Sequence, residues 1–225
     1  MKIIKVKSYE EMSDLTAEMI LKQIKEKPNS VLGLATGSTP IGAYEGLIKK
    51  KADFSRVATF NLDEYCGLER THPQSYYYFM INKLFKHVNI ARENIHFPSY
   101  EKCEDYEKEI ALAGGIDLQL LGVGGNGHIG FNEPDEVFHN KTRVVQLAPS
   151  TIKANARFFG NPDEVPKTAV SMGIGTIMAA RKIVLVAGAD KAHIIKELEK
   201  PVVSPQLPCS ILHYHPDCTI ICVKE

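Results

Sequence analysis

Val31-Leu32-Gly33-Leu34-Ala35-Thr36-Gly37-Ser38-Thr39-Pro40 passes from an unbroken apolar run into a polar turn, after which Ile41, Tyr44, Leu47 and Ile48 keep helical spacing. An apolar run without polar alternation suits a strand buried on both faces, as in a parallel sheet. Further runs of this kind lie at 57–62, 118–123, 144–147, 169–172, 183–186 and 219–223, and the first strand begins almost at Met1. Helical patterns over 9–27, 41–51, 76–86, 103–113 and 191–198 separate several of them. The alternation predicts an α/β fold: a three-layer, Rossmann-like, mostly parallel sheet with helices on both faces, in a single domain over 1–225. In such sheets ligands sit at the carboxyl ends of the strands, so the loops there are where chemistry is expected.

The chain has 225 residues, 44% of them apolar, which is enough for one substantial core. Lys+Arg and Asp+Glu balance at 27 each, leaving no overall basic field for nucleic acid or for an acidic membrane surface. Any anionic partner must be caught locally. The apolar run near Met1 is too short for a signal peptide and no stretch approaches a membrane span, so a cytoplasmic protein is expected. Five scattered cysteines, an odd number, argue for reduced thiols and against a disulfide framework.

Three segments carry candidate chemistry. In the first, Pro40 suits the first helical position and Thr39 or Ser38 the N-cap. The N–H groups of such a turn, with the helix dipole, make an anion site, and Gly37 lets a phosphate approach closely. An ordinary capped helix reads the same way. The segment lacks the Lys and spacing of a nucleotide-binding P-loop, so ATP is not implied.

The second segment, Gly122-Val123-Gly124-Gly125-Asn126-Gly127, matches G-x-G-x-x-G after a strand. The context contradicts dinucleotide binding: His128-Ile129-Gly130-Phe131-Asn132-Glu133-Pro134 puts Gly and Pro where a helix should start. A tight loop presenting Asn126, His128 and Glu133 fits better, since a carboxylate beside an imidazole can orient the ring and raise its basicity. A hydrogen-bonded structural histidine is the plainer alternative. In the third segment, Asp63 and Glu64 follow the run at 57–62, at the ligand edge of the sheet. A carboxylate desolvated there by Phe60 and Tyr65 could act as a general base. A solvated turn pair is the bland alternative.

Together these stretches resemble the glucosamine-6-phosphate deaminase (isomerase) family, in its short form. The likeness runs through Leu34 to Pro40, Phe60 to Tyr65, His72-Pro73-Gln74-Ser75-Tyr76-Tyr77, Gly127 to Pro134 and Asn155-Ala156-Arg157-Phe158-Phe159. The resemblance implies that Asp63 moves a proton between C2 and C1, and that Asn126, His128 and Glu133 open the sugar ring. It also implies phosphate contacts at Gly37, Ser38, Thr39, Arg157 and Lys191, a small sugar phosphate as the partner, and no metal or cofactor. Longer, allosterically regulated members have a further C-terminal segment and a basic residue near Val145, so an unregulated enzyme is expected here, a monomer or small homo-oligomer. The stretch 151–166 is a candidate lid.

Three alternatives remain at this level. A 6-phosphogluconolactonase shares the architecture and the glycine loop, but its family continues from the histidine into a different, Ser-Leu-Phe-Pro-like stretch. A sugar-phosphate-sensing regulatory domain would normally follow a helix-turn-helix, and would have no use for the carboxylates. A metal site at Cys209, His213, His215 and Cys218 fits no structural zinc spacing cleanly.

Overall fold

The computed structural model describes residues 1–156, 159–161 and 164–224. Its strands are β1 (Lys2–Val6), β2 (Val31–Leu34), β3 (Ala58–Asn61), β4 (Asp63–Tyr65), β5 (Ile95–His96), β6 (Leu118–Leu121), β7 (Arg143–Gln146), β8 (Thr168–Ser171), β9 (Lys182–Ala187) and β10 (Cys218–Val223). Its α-helices are α1 (Tyr9–Glu26), α2 (Ile41–Lys49), α3 (Tyr76–Lys83), α4 (Tyr106–Leu112), α5 (Pro149–Asn155), α6 (Ile174–Met178) and α7 (Ala192–Leu198).

Seven strands form one sheet in the order β1-β10-β9-β6-β2-β3-β5, and every pairing in it is parallel. Successive residues of these buried strands serve opposite faces. Leu32, Leu34, Leu118 and Leu120 pack in a layer with Ile20 of α1, Leu47 of α2 and Met80 of α3. Val31, Phe60, Leu121 and Leu185 pack on the other side with Ile110 of α4, Ile177 of α6 and Ile195 of α7. The expected three-layer, mostly parallel architecture is therefore present. No helix is long and apolar enough to cross a membrane among the described residues.

Two apolar runs depart from the expectation. Those at 144–147 and 169–172 do not join the large sheet; β7 and β8 pair antiparallel, and β4 pairs antiparallel with β8, in a separate three-stranded sheet β4-β8-β7. For β7 the reason lies in burial, whereas β8, the middle strand of the small sheet, is buried from Ala169 to Ser171. Along β7, Val144 and Gln146 are exposed while Val145 is buried, the one-faced alternation of an antiparallel strand. The chain also does not turn away after Leu62: Asp63 and Glu64 open β4 instead of lying in a solvated turn.

The path of the chain places the site. From β2 the chain passes to β3 on one side, whereas from β6 the next strand of the large sheet is β9, on the other side. β2 and β6 are direct neighbours, so the connections diverge between them and leave a crevice at their carboxyl ends.

Candidate active site

A cavity of about 570 Å³ opens over that crevice. Its wall includes the turn after β2 with Gly37, Ser38 and Thr39, then Asp63, then Asn126 and His128 of the loop after β6, and Lys191 beyond β9. These residues, singled out from widely separated motifs, share one cleft. Arg157 lies outside the described residues, as do 158, 162 and 163 of the candidate lid.

The turn after β2 is built differently from the expectation. Gly37 has φ +96°, a conformation that favours glycine. Pro40 occupies the N-cap of α2 in αR geometry, one position before the helix, and its own side chain makes no capping bond. Neither Ser38 nor Thr39 is the cap. A phenol from α1 does that work: Tyr9 Oη accepts from Gly42 N at 2.9 Å and donates to Ser38 O at 3.1 Å. The hydroxyls of Ser38 and Thr39 have no hydrogen-bond partner among the described residues, which leaves them free for a ligand. Lys191 ends the short turn after β9, and its Nζ donates to Asp190 on the rim of the same cleft.

Asp63 is 7% exposed and accepts no hydrogen bond among the described residues. Burial, and then the nearby charge of Glu64, push its carboxyl up to about 8. Glu64 has a separate, structural role. Its carboxylate accepts the backbone N–H groups of Tyr65, Tyr76 and Tyr77 at 2.8–2.9 Å, and so closes the first turn of α3. α3 in turn presents Tyr76, which lines the cleft and stacks on Phe131 at 6.0 Å.

The glycine loop has a definite local cause. The Gly124 N–H donates to His128 O at 3.0 Å and the Gly127 N–H to Gly124 O at 3.0 Å. The imidazole of His128 lies directly on Gly124, where a Cβ would stand 2.2 Å from the ring. Only glycine admits that approach. No helix follows; the chain runs through turns to β7, which removes the geometry a dinucleotide fingerprint requires.

Glu133 collects this loop into a unit. Its Oε2 accepts from Asn126 Nδ2 at 2.6 Å and meets His128 Nδ1 at 3.2 Å, while Asn126 Oδ1 accepts from His128 N at 3.2 Å. Thr151, at the start of α5, donates its hydroxyl to Glu133 Oε1. Burial alone would raise the carboxyl of Glu133, but the bonds and charge from His128, with those from Thr151 and Asn126, hold it at about 2. An ionised carboxylate only accepts, so the proton of the neutral His128 ring belongs on Nδ1, which leaves Nε2 as the acceptor. The site therefore offers a buried acid without a partner among the described residues and, in the same cleft, an imidazole oriented by a fixed anion.

The remaining alternative does not assemble. His215 spends both ring nitrogens on backbone groups, Ala180 O at 2.8 Å and Asp217 N at 3.1 Å. No cluster of three or more metal-ligating side chains occurs among the described residues. Tyr9, Tyr76 and Thr151 are the site residues that sequence reasoning missed. Tyr76 alone stood in a quoted motif, His72 to Tyr77.

The family model of glucosamine-6-phosphate isomerases and 6-phosphogluconolactonases matches residues 5–221. The glucosamine-6-phosphate deaminase of Thermoanaerobacter pseudethanolicus is 56% identical, with 100% of this chain and 93% of that protein covered. A solved structure of a monomeric glucosamine-6-phosphate deaminase superposes with a TM-score of 0.97 at 40% identity, covering 100% of this chain and 98% of the other. A 6-phosphogluconolactonase from Thermotoga maritima, at 21% identity and a TM-score of 0.79 over 100% and 99% of the two chains, shares the fold alone. This chain therefore belongs to the family of glucosamine-6-phosphate isomerases and 6-phosphogluconolactonases, and within it stands with the glucosamine-6-phosphate deaminases.

Proposed function

We propose that this protein opens, isomerises and deaminates glucosamine 6-phosphate, giving fructose 6-phosphate and ammonia, as a step of amino sugar catabolism. The observation that carries this reading is the sharing of one cleft by Asp63, His128 and the open-hydroxyl turn at Ser38 and Thr39, with Glu133 bonded to the His128 ring.

The reaction follows from those groups. The sugar is a closed hemiacetal, so the proton on O1 must leave and one must reach the ring oxygen before C1 becomes an aldehyde. His128, with Nε2 available and Nδ1 held by Glu133, performs that transfer. The C2 hydrogen is then acidic. Asp63 takes it, giving an enolamine across C1 and C2, and returns it to C1, leaving an imine at C2. Water adds to the imine and ammonia departs, so the net change is addition of one water and loss of one ammonia, a hydrolytic cleavage of the C–N bond.

In the empty cleft Asp63 keeps its proton near neutrality, because its carboxyl is pushed up to about 8. A substrate carrying a protonated amine on C2 brings a positive charge beside it, which favours the ionised, basic form. The carbonyl and the amine sit on adjacent carbons, so the substrate is its own electron sink and the step needs no pyridoxal lysine. The phosphate, remote from the bonds that change, supplies alignment through Gly37, Ser38, Thr39 and Lys191, and through Arg157 as the family resemblance implies.

Residues 1–225 act as one domain in this scheme. The five unpaired thiols and a phosphorylated substrate suit the cytoplasm. The test is incubation with glucosamine 6-phosphate, measuring fructose 6-phosphate and ammonia together. Equimolar release supports the reading; hydrolysis of 6-phosphogluconolactone with no ammonia from the amino sugar overturns it.

A further inference from the structure

We propose that Thr151 is a positioning residue of the ring-opening group, through which helix α5 fixes the plane of the Glu133 carboxylate and thereby the ring of His128. The inference rests on the functional reading above and adds a residue to it.

Glu133 has no intrinsic means of holding its carboxylate plane, because the terminal torsion of a glutamate is broad and roughly two-fold. Two of its three side-chain contacts, from Asn126 and His128, fall on the same oxygen, Oε2. A carboxylate held by one oxygen can still swing the other. Thr151 donates to that other oxygen, Oε1, and so turns a pivot into a fixed plane. Thr151 is 6% exposed, so water competes poorly for Oε1. Fixing the plane fixes the direction in which Oε2 meets His128 Nδ1, and hence where Nε2 points in the cleft.

The placement of Thr151 gives the bond a second consequence. It stands 18 residues from Glu133, on a different element. Beyond α5 the chain reaches Phe159, whose ring meets Tyr65 edge-on at 5.8 Å and stacks over His72 at 6.3 Å. Tyr65 ends β4, the strand that Asp63 begins. One segment thus touches the ring-opening group at Thr151 and the strand of the isomerising acid at Phe159.

The test uses Thr151→Val, which keeps the branched shape without the hydroxyl, and Thr151→Ser, which keeps the hydroxyl. With glucosamine 6-phosphate, the valine variant is expected to lose roughly tenfold or more in kcat with KM within about threefold, as for an interaction that acts in the chemical step. Its acid limb in the kcat–pH profile should move upward, since Glu133 has lost a donor to its ionised form. The serine variant should recover the wild-type profile. A valine variant with wild-type kcat and acid limb, or a serine variant no better than valine, overturns the proposal. A carbon-13 titration of Glu133 in the ligand-free protein reads the same bond without turnover: the carboxyl, at about 2 in the wild type, should rise in the valine variant. No rise overturns the inference about Thr151, whereas a wild type that releases no ammonia overturns the functional reading instead.

Discussion

Asp63 and Glu133 are both carboxyl groups drawn out of water at the same sheet edge, and their surroundings push them in opposite directions. Among the described residues Asp63 has no donor and is raised to about 8, while Glu133 has three side-chain donors and is held at about 2. Against ordinary values of ~3.9 and ~4.3, these shifts give stability terms of opposite sign. The native state holds a proton on Asp63 that the unfolded chain releases, so this term favours folding below pH ~4 and is lost as pH rises toward 8. Glu133 contributes above pH ~4 and loses its contribution as pH falls toward 2. Asp63→Asn keeps the shape and removes the charge. We expect it to lower turnover on the order of a hundredfold, and to raise the melting temperature of the ligand-free protein relative to wild type at pH 9 but not at pH 4. Thermal denaturation at the two pH values checks this; an equal difference at both would contradict it. Asp63, Asn126, His128 and Glu133 were legible in the sequence because chemistry-bearing types stand where a buried run meets a turn or a glycine loop. Thr151 and Tyr9 were not, since a hydroxyl carries no signal until folding brings it to its partner.

Elements carry constraints that single side chains do not. Gly124 does not have the positive φ of Gly127, so alanine suits its backbone and the penalty falls on the His128 ring alone. Gly124→Ala should therefore displace the imidazole and lower kcat/KM by roughly a hundredfold, with little loss of stability. Kinetics and a melting curve on the same preparation test this, and a variant with normal turnover would remove the packing argument. Glu64 behaves in the reverse manner. It satisfies two N–H groups of the first turn of α3 as well as that of Tyr65, so Glu64→Ala leaves buried donors unpaired, at a cost of about 2 kcal/mol. For a chain of this size the melting temperature should fall by roughly 4–8 °C. An unchanged midpoint would mean that water replaces the carboxylate without loss. In the sequence the neighbouring carboxylates of Asp63 and Glu64 look alike. Which one points into the cleft and which caps a helix is decided by the pleat of β4, a strand too short to betray itself by pattern.

At the scale of the molecule, the runs at 31–35, 57–62, 118–123, 183–186 and 219–223 announced buried parallel strands because both of their faces are covered. The run at 144–147 has one exposed face, whereas that at 169–172 is buried throughout like the strands of the large sheet, and composition does not say which sheet a strand joins. That partition matters, since the small sheet β4-β8-β7 holds Asp63 over the crevice that the large sheet opens between β2 and β6. It also bears on regulation. Val145, the position where regulated relatives are expected to carry a basic group, is buried against Tyr65, Phe159 and Ala169 in the core of the small sheet. The acid, the imidazole and the phosphate turn line one cleft in a fold closely similar to that of a monomeric glucosamine-6-phosphate deaminase. We therefore expect sedimentation to give the mass of one chain, specific activity to be independent of protein concentration, and the substrate curve to be hyperbolic. Saturating N-acetylglucosamine 6-phosphate should leave that curve in place. A sigmoidal curve that the acetylated sugar makes hyperbolic would show that a second site, coupled to the cleft, sets its affinity.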